Sequence, residues 1–449
     1  MVTLTILTRF RHRCSFATLL LCSGLFRYLA PTLQEMKQQT PLYLTGKVKK
    51  RRFDRDRDET NFNLPKKCGI ELTLVDIHSD DVQSLPLYPI FSWIVDFTIC
   101  SVFIYSSSEI YSYFYPFSTA INVSAIWIFL ALGFAFHGLS KLTSQFFLSE
   151  DLEAERSLVL CISIIYFLLT MILTMFIDRY FDVGFGYAFE SFMQSTSAFF
   201  SAMKLSEDLA QRSPLLLFLS FSVMFGIVAG FLTFPNFRYA QMYTDALSSA
   251  NPIQKLFLHI TFLSQGFSFL LFFHPVTNYI LNGPRISLSK DQLITLRMYA
   301  IISSFLLRLM FRRVHLQSHL NRAAVVLAEL KKEAGVISST ELQRMIFRYF
   351  CYYAVAALQY FIPVLIPFLI CLLWKTLGHN SWIGVKDSEV FVSAISGDSS
   401  EARNLVSLGV LFNKTVSRGL FSLFLVLILF INFTLSLLGV VYHSFLHKT

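Results

Sequence analysis

Eight runs of apolar residues dominate this chain, at about 90–113, 121–141, 157–178, 214–234, 255–281, 292–311, 346–374 and 418–443. Each is close to the length that crosses about 30 Å of hydrocarbon as a helix. Backbone amides in lipid must pair within their own segment, so helices are the form such runs take. Composition agrees: of 449 residues 54% are hydrophobic, 16% aromatic and only 15% charged. Soluble domains carry about 25% charged residues, so a water-soluble surface could not be covered here. The fold class that follows is all-α, a polytopic transmembrane helical bundle of about eight spans in residues 90–449. Its first partner is the lipid bilayer.

Two segments precede the bundle. Residues 1–31 set Arg9–Arg13 before an apolar stretch, Phe16–Leu29. About 14 residues are short for a span, which predicts an interfacial helix or the remnant of a signal-anchor. Residues 32–89 are polar and basic, with Lys47-Val-Lys-Lys-Arg-Arg52 and the alternating Asp54–Asp58, and read as a mobile tail.

Orientation follows from where the positive charge lies. With residue 89 in the cytosol, the inner segments hold 22 Lys/Arg and the outer ones 10. The difference comes mostly from 32–89 and 312–348. Asn413-Lys-Thr415 then falls in the last outer loop as a candidate glycosylation site, whereas Asn432-Phe-Thr434 lies inside a span. The plasma membrane and the endoplasmic reticulum are equally compatible with this pattern.

Two inner elements carry a pattern of their own. After the sixth span, Leu316, Leu320, Ala324, Leu327 and Leu330 continue at helical spacing, giving a long inner amphipathic helix over 312–334 that Gly335 ends. Ser338 and Glu341 then fit a capping box. The second element, Asn236–Ala250, ends before Pro252. Arg238, Gln241, Asp245, Arg322, Lys331 and Lys332 form a candidate inner-face interaction surface. Polybasic faces of this kind hold either protein partners or anionic lipid.

Ionisable residues at membrane depth cost on the order of 2.5–3.5 kcal/mol to insert, which makes them functional candidates. Asp96, His259 and Arg308 form the candidate intramembrane polar site. Arg297 and Arg308 lie near the two ends of the sixth span, where both can snorkel, and two such charges are too few for a voltage sensor. His315 and His319 have i, i+4 spacing, but Arg312 and Arg313 beside them oppose a metal ion. Gly226-Ile-Val-Ala-Gly230 predicts close helix packing, and Pro363 and Pro367 a kink. Trp93 and Trp374 lie near span ends, as an aromatic belt would place them.

Motifs for soluble chemistry are missing from the sequence: no Walker A, no GxSxG and no nucleotide-binding GxGxxG. Seven cysteines without a CxxC pair argue against a zinc module or a disulfide scaffold. No enzyme, cofactor or nucleic-acid partner is expected.

Several stretches together resemble the transmembrane protein 161 family: Trp93-Ile-Val-Asp-Phe-Thr98, Phe231-Leu-Thr-Phe-Pro235 with Arg238, Gln241 and Asp245, Ser318-His-Leu-Asn321, Lys331-Lys-Glu-Ala-Gly335, Leu358-Gln-Tyr360 and Lys375-Thr-Leu-Gly378. They occur in order from about residue 14 to the C-terminus. Family members usually begin with a longer apolar helix than this chain does. The resemblance implies a multi-pass membrane protein without defined catalytic residues, linked to modulation of potassium and calcium currents and to protection from oxidative stress. Ion channels or other membrane proteins are the partners it suggests. A channel or transporter in its own right is the alternative.

Overall fold

The computed structural model of the chain describes residues 15–38, 62–67, 69–114, 124–148, 153–202, 214–283, 288–383 and 413–446. Short elements come first: α1 (Phe16–Cys22), β1 (Phe26–Tyr28), α2 (Leu33–Gln38), β2 (Asn63–Pro65), β3 (Leu74–Asp76) and α3 (Ser79–Gln83). The long helices are α4 (Tyr88–Phe114), α5 (Ser124–Leu148), α6 (Glu153–Tyr180), α7 (Phe185–Ala202) and α8 (Leu215–Ser249). After them come α9 (Pro252–Leu270), α10 (His274–Asn282), α11 (Lys290–Met310), α12 (Arg312–Leu330), β4 (Val336–Ser338), α13 (Ser339–Cys351), α14 (Tyr353–Gly378) and α15 (Lys414–Leu446). The all-α multi-pass bundle stands.

Among the described residues seven helices are long and apolar enough to cross a membrane: α4, α5, α6, α8, α11, the α13–α14 pair and α15. The fifth expected span, 255–281, is the exception. It breaks at Leu271–Phe273 into α9 and α10. Pro275 explains the break, because it has no N–H to give the carbonyl four residues back, that of Leu271. That carbonyl is taken instead by Arg297 Nε at 3.0 Å and Thr277 Oγ1 at 3.3 Å.

The centre of the bundle is α14. Nearly every side chain from Tyr353 to Trp374 is buried, packed among α4, α5, α8, α11 and α15. Its prolines are absorbed by neighbours. Pro367 leaves the Pro363 carbonyl without a helical donor, and Asn432 Nδ2 of α15 donates to it at 2.6 Å. Asn432 Oδ1 accepts from Asn236 Nδ2 at 3.1 Å, and Asn236 Oδ1 from Ser436 Oγ at 3.2 Å. A buried amide chain therefore ties α8, α14 and α15. Trp374 belongs to this interior as well, with its indole N–H donating to the Arg418 carbonyl at 3.1 Å. It is not part of an aromatic belt.

The GxxxG in α8 packs against α6. A side chain on Gly226 would meet the Ser163 carbonyl and Phe167 Cβ at 3.0 Å, and one on Gly230 would collide with Ser163 Oγ. Helix α6 turns the opposite face outward, with Leu160, Ile164, Leu168, Ile172 and Met175 exposed at helical spacing, as lipid contact requires.

At the end of the bundle that carries β4 and α13, three expectations change. Residues 16–29 form no single helix: Gly24, at φ +68°, breaks the run into α1 and β1. Residues 62–67 and 69–87 are not a mobile tail. β2 pairs antiparallel with β4, β1 pairs with β3, and Leu64 and Ile70 are buried against Leu327 and Ile337. Apolar residues spaced among the charges give this segment something to bury. The basic run Lys47–Arg52 lies outside the described residues. Finally, the helix after the sixth span is not continuous with it. It breaks at Phe311 and ends at Leu330, with Gly335 (φ +124°) closing the turn into β4.

Candidate functional site

Helix α8 runs 35 residues straight through Pro235, so Asn236–Ser249 is the extension of a span and not a separate element. Its extension lies against α12. Arg322 Nη1 donates to Asp245 Oδ2 at 3.1 Å, and Arg238 Nη1 donates to Gln241 Oε1 at 2.8 Å. Arg238 Nε reaches Gln359 Oε1 of α14 at 3.4 Å. These four expected surface residues thus turn toward one another, because charges placed where two helices cross lose water and must find partners.

Lys331 is also engaged within the chain. Its Nζ donates to the Ile70 carbonyl at 2.7 Å, and Lys66 pairs with Glu333 at 2.6 Å. Gln317 exchanges two hydrogen bonds with the backbone of Phe26, at 3.0 and 3.1 Å. Tyr353 donates to the Leu21 carbonyl at 2.8 Å. Of the expected interaction residues, Lys332 alone is exposed, the others being half-buried. The N-terminal elements cover the face that the basic helix was expected to offer.

The intramembrane candidates fall in two places. His259 Nδ1 and the Tyr243 hydroxyl are 2.6 Å apart, Tyr243 stacks on Phe262, and Phe262 stacks on Tyr239. Arg308 lies on the other side of Tyr239, its guanidinium carbon 3.4 Å from the ring centroid. A row of aromatic rings therefore joins His259 to Arg308. Asp96 sits on α4, buried, with Ser92 Oγ one turn earlier donating to it at 3.4 Å.

Arg308 does not snorkel. It is 2% exposed; Tyr239 is a side-chain hydrogen-bonding neighbour, but none of the three guanidinium nitrogens has a partner within 3.5 Å among the described residues. Tyr360 flanks it at 5.3 Å and donates its hydroxyl to the Arg308 carbonyl at 2.7 Å. His315 packs on both Tyr239 and Tyr360. Tyr239 and Tyr360 escaped the sequence reading, since a tyrosine in an apolar run signals nothing until its neighbours are known.

Arg297 is the opposite case, buried and fully engaged. Besides Leu271 O, it donates to Asp182 Oδ2 at 2.9 Å, Asp182 O at 3.2 Å and Thr277 Oγ1 at 2.9 Å, over the face of Phe272. It ties the α6–α7 turn, the break in the fifth span and α11 together. At the same end of the bundle Lys375 pairs with Glu109, and Asn413 is exposed where α15 begins.

His315 and His319 have different neighbours. His315 Nδ1 is 3.0 Å from the Phe311 carbonyl, while His319 packs edge-on to Tyr349. Among the described residues no group of three His, Cys, Asp or Glu side chains comes together to hold a metal. Burial pushes the His315 ring down to about 4, and burial with Arg238 beside it pushes His319 down to about 3. Both rings stay neutral in the folded protein while the unfolded chain takes up protons below about pH 6.5. Stability therefore falls as pH drops from 7 toward 4, by on the order of 1 kcal/mol per histidine per pH unit. Thermal unfolding between pH 7.5 and 5 should show this slope, and His319→Asn should flatten it.

The sequence matches the family described as "Predicted transmembrane protein 161AB" over residues 1–447. This chain belongs to the transmembrane protein 161 family. No solved structure matches it. Membership agrees with an integral, multi-pass membrane protein.

Proposed function

We propose that this protein modulates potassium or calcium currents through partner membrane proteins and is not an enzyme. The observation that carries the reading is the occupancy of the bundle centre. Helix α14 fills it with packed apolar side chains, where a conducting protein would place a polar-lined passage. Buried polar groups beside it, Asn236, Asn432, Gln359 and Arg238, bond to one another and to backbone carbonyls. The contact surface for a channel partner is then the outward apolar faces within the membrane, with Lys332 exposed at the basic end. That end is cytosolic in this reading, and Asn413 is on the side that can be glycosylated.

A second reading, a conduction path past Asp96, His259 and Arg308, has one observation in its favour: the buried guanidinium of Arg308, whose nitrogens have no partner within 3.5 Å among the described residues. Whole-cell recordings separate the first reading from inactivity. Deleting the protein should change potassium or calcium current density, and re-expression should restore it. Unchanged currents in an excitable cell that expresses it would contradict the proposal.

A further inference from the structure

The strongest unexplained feature of the interior is Arg308. A guanidinium keeps its proton in any protein environment, so its charge cannot be relieved by titration. Burying an uncompensated ion costs several kcal/mol, and the penalty is met by a counter-charge or by hydrogen bonds. The Tyr239 and Tyr360 ring faces supply part of the compensation. The ring faces accept no N–H bond in the plane of the guanidinium, and none of its nitrogens has a partner within 3.5 Å among the described residues. A buried unsatisfied group of this kind calls for an explanation such as a bound ion.

We propose that Arg308 holds a small monovalent anion inside the bundle, between α8, α11, α12 and α14. The sign follows from the donors: a fixed cation faces electron-rich rings and neutral groups. The choice of Arg308 over its neighbours follows from their hydrogen bonds: Arg238 donates to Gln241 and Gln359, and Arg312 to the Leu309 and Leu20 carbonyls at 3.4 Å, so Arg308 is the guanidinium left with donors for an anion. Small size follows from the close packing of Tyr239, His315 and Tyr360 around it. Such an anion would also fix where α11 gives way to α12, because Arg308 sits three residues before the break at Phe311 and is bonded through its carbonyl to α14. The inference does not depend on whether the protein regulates currents.

Thermal unfolding of the detergent-purified protein tests it, in sodium chloride or sodium nitrate against sodium gluconate at equal ionic strength. Chloride and nitrate should raise the midpoint saturably by a few degrees, and gluconate, too large for the site, should not. Arg308→Gln should abolish the difference between salts. Equal midpoints in all three salts, or the same chloride effect in Arg308→Gln, would overturn the proposal. If that variant does not fold, chloride-35 NMR on the unmodified protein decides. Saturable line broadening displaced by nitrate supports the site, and broadening that is absent or linear in chloride sinks it.

Discussion

Replacing Arg297 with Met should lower the stability of the folded bundle by about 1–3 kcal/mol for each buried acceptor that loses its donor. The magnitude rests on what the guanidinium does at its 3% exposed position. It satisfies the carbonyl that Pro275 orphans, the backbone and carboxylate of Asp182, and the hydroxyl of Thr277. Methionine fills the volume and offers none of these donors. Asp182→Asn should cost far less, because the Asp182 side chain is 43% exposed and only one of the four bonds reaches its carboxylate. Arg297→Lys should resemble Met more than wild type, since a single ammonium cannot span the fork. Fluorescence-detected size-exclusion after heating gives the midpoints. Arg297→Met melting with the wild type would mean that the break in the fifth span holds itself.

The second large effect lies in lipid, at the α6–α8 contact. Gly230→Ala should destabilise by about 1–3 kcal/mol, the cost of overpacking a close-fitted interface. The added methyl displaces Ser163 Oγ, which must turn to another rotamer, and then lies 3.4–3.5 Å from Val159 Cγ1 and Ser163 Cβ. Trimming the obstacle should give most of the loss back, so the Gly230→Ala, Ser163→Ala pair should lie near Ser163→Ala alone. Gly133→Ala is the contrast. Nothing stands within 4 Å of a side chain there, and removing a glycine from a helix should stabilise it slightly. If both glycine variants behave alike, packing at Gly230 is not what sets the helix distance.

The bundle itself was legible because apolar length is a direct record of the bilayer. Small residues at Gly226 and Gly230 were legible for the same reason: each has one dominant physical consequence. The break in the fifth span escaped the sequence because hydropathy counts side chains, whereas Pro275 acts through a missing N–H. The 62–87 segment was misread in a related way. Its burial rests on isolated residues, Leu64 and Ile70, whose partners lie some 260 residues away in β4 and α12. The polar site was half visible. Arg308 and His259 stood out by cost alone, but their link runs through Tyr239, Tyr243 and Phe262, which are ordinary in a membrane helix. Arg238, Gln241, Asp245 and Arg322 were expected to face outward, whereas they bond to one another and to Gln359. Charge density along a helix does not say whether another helix covers it.

Ion flux through the purified protein in liposomes, with and without an imposed voltage, tests the central claim most directly. A bundle whose centre is filled by α14 should leave the vesicles silent to potassium and calcium, while cells lacking the protein show altered currents. Voltage-dependent flux that disappears in Asp96→Asn or Arg308→Gln would contradict this, and would make the protein the pathway itself.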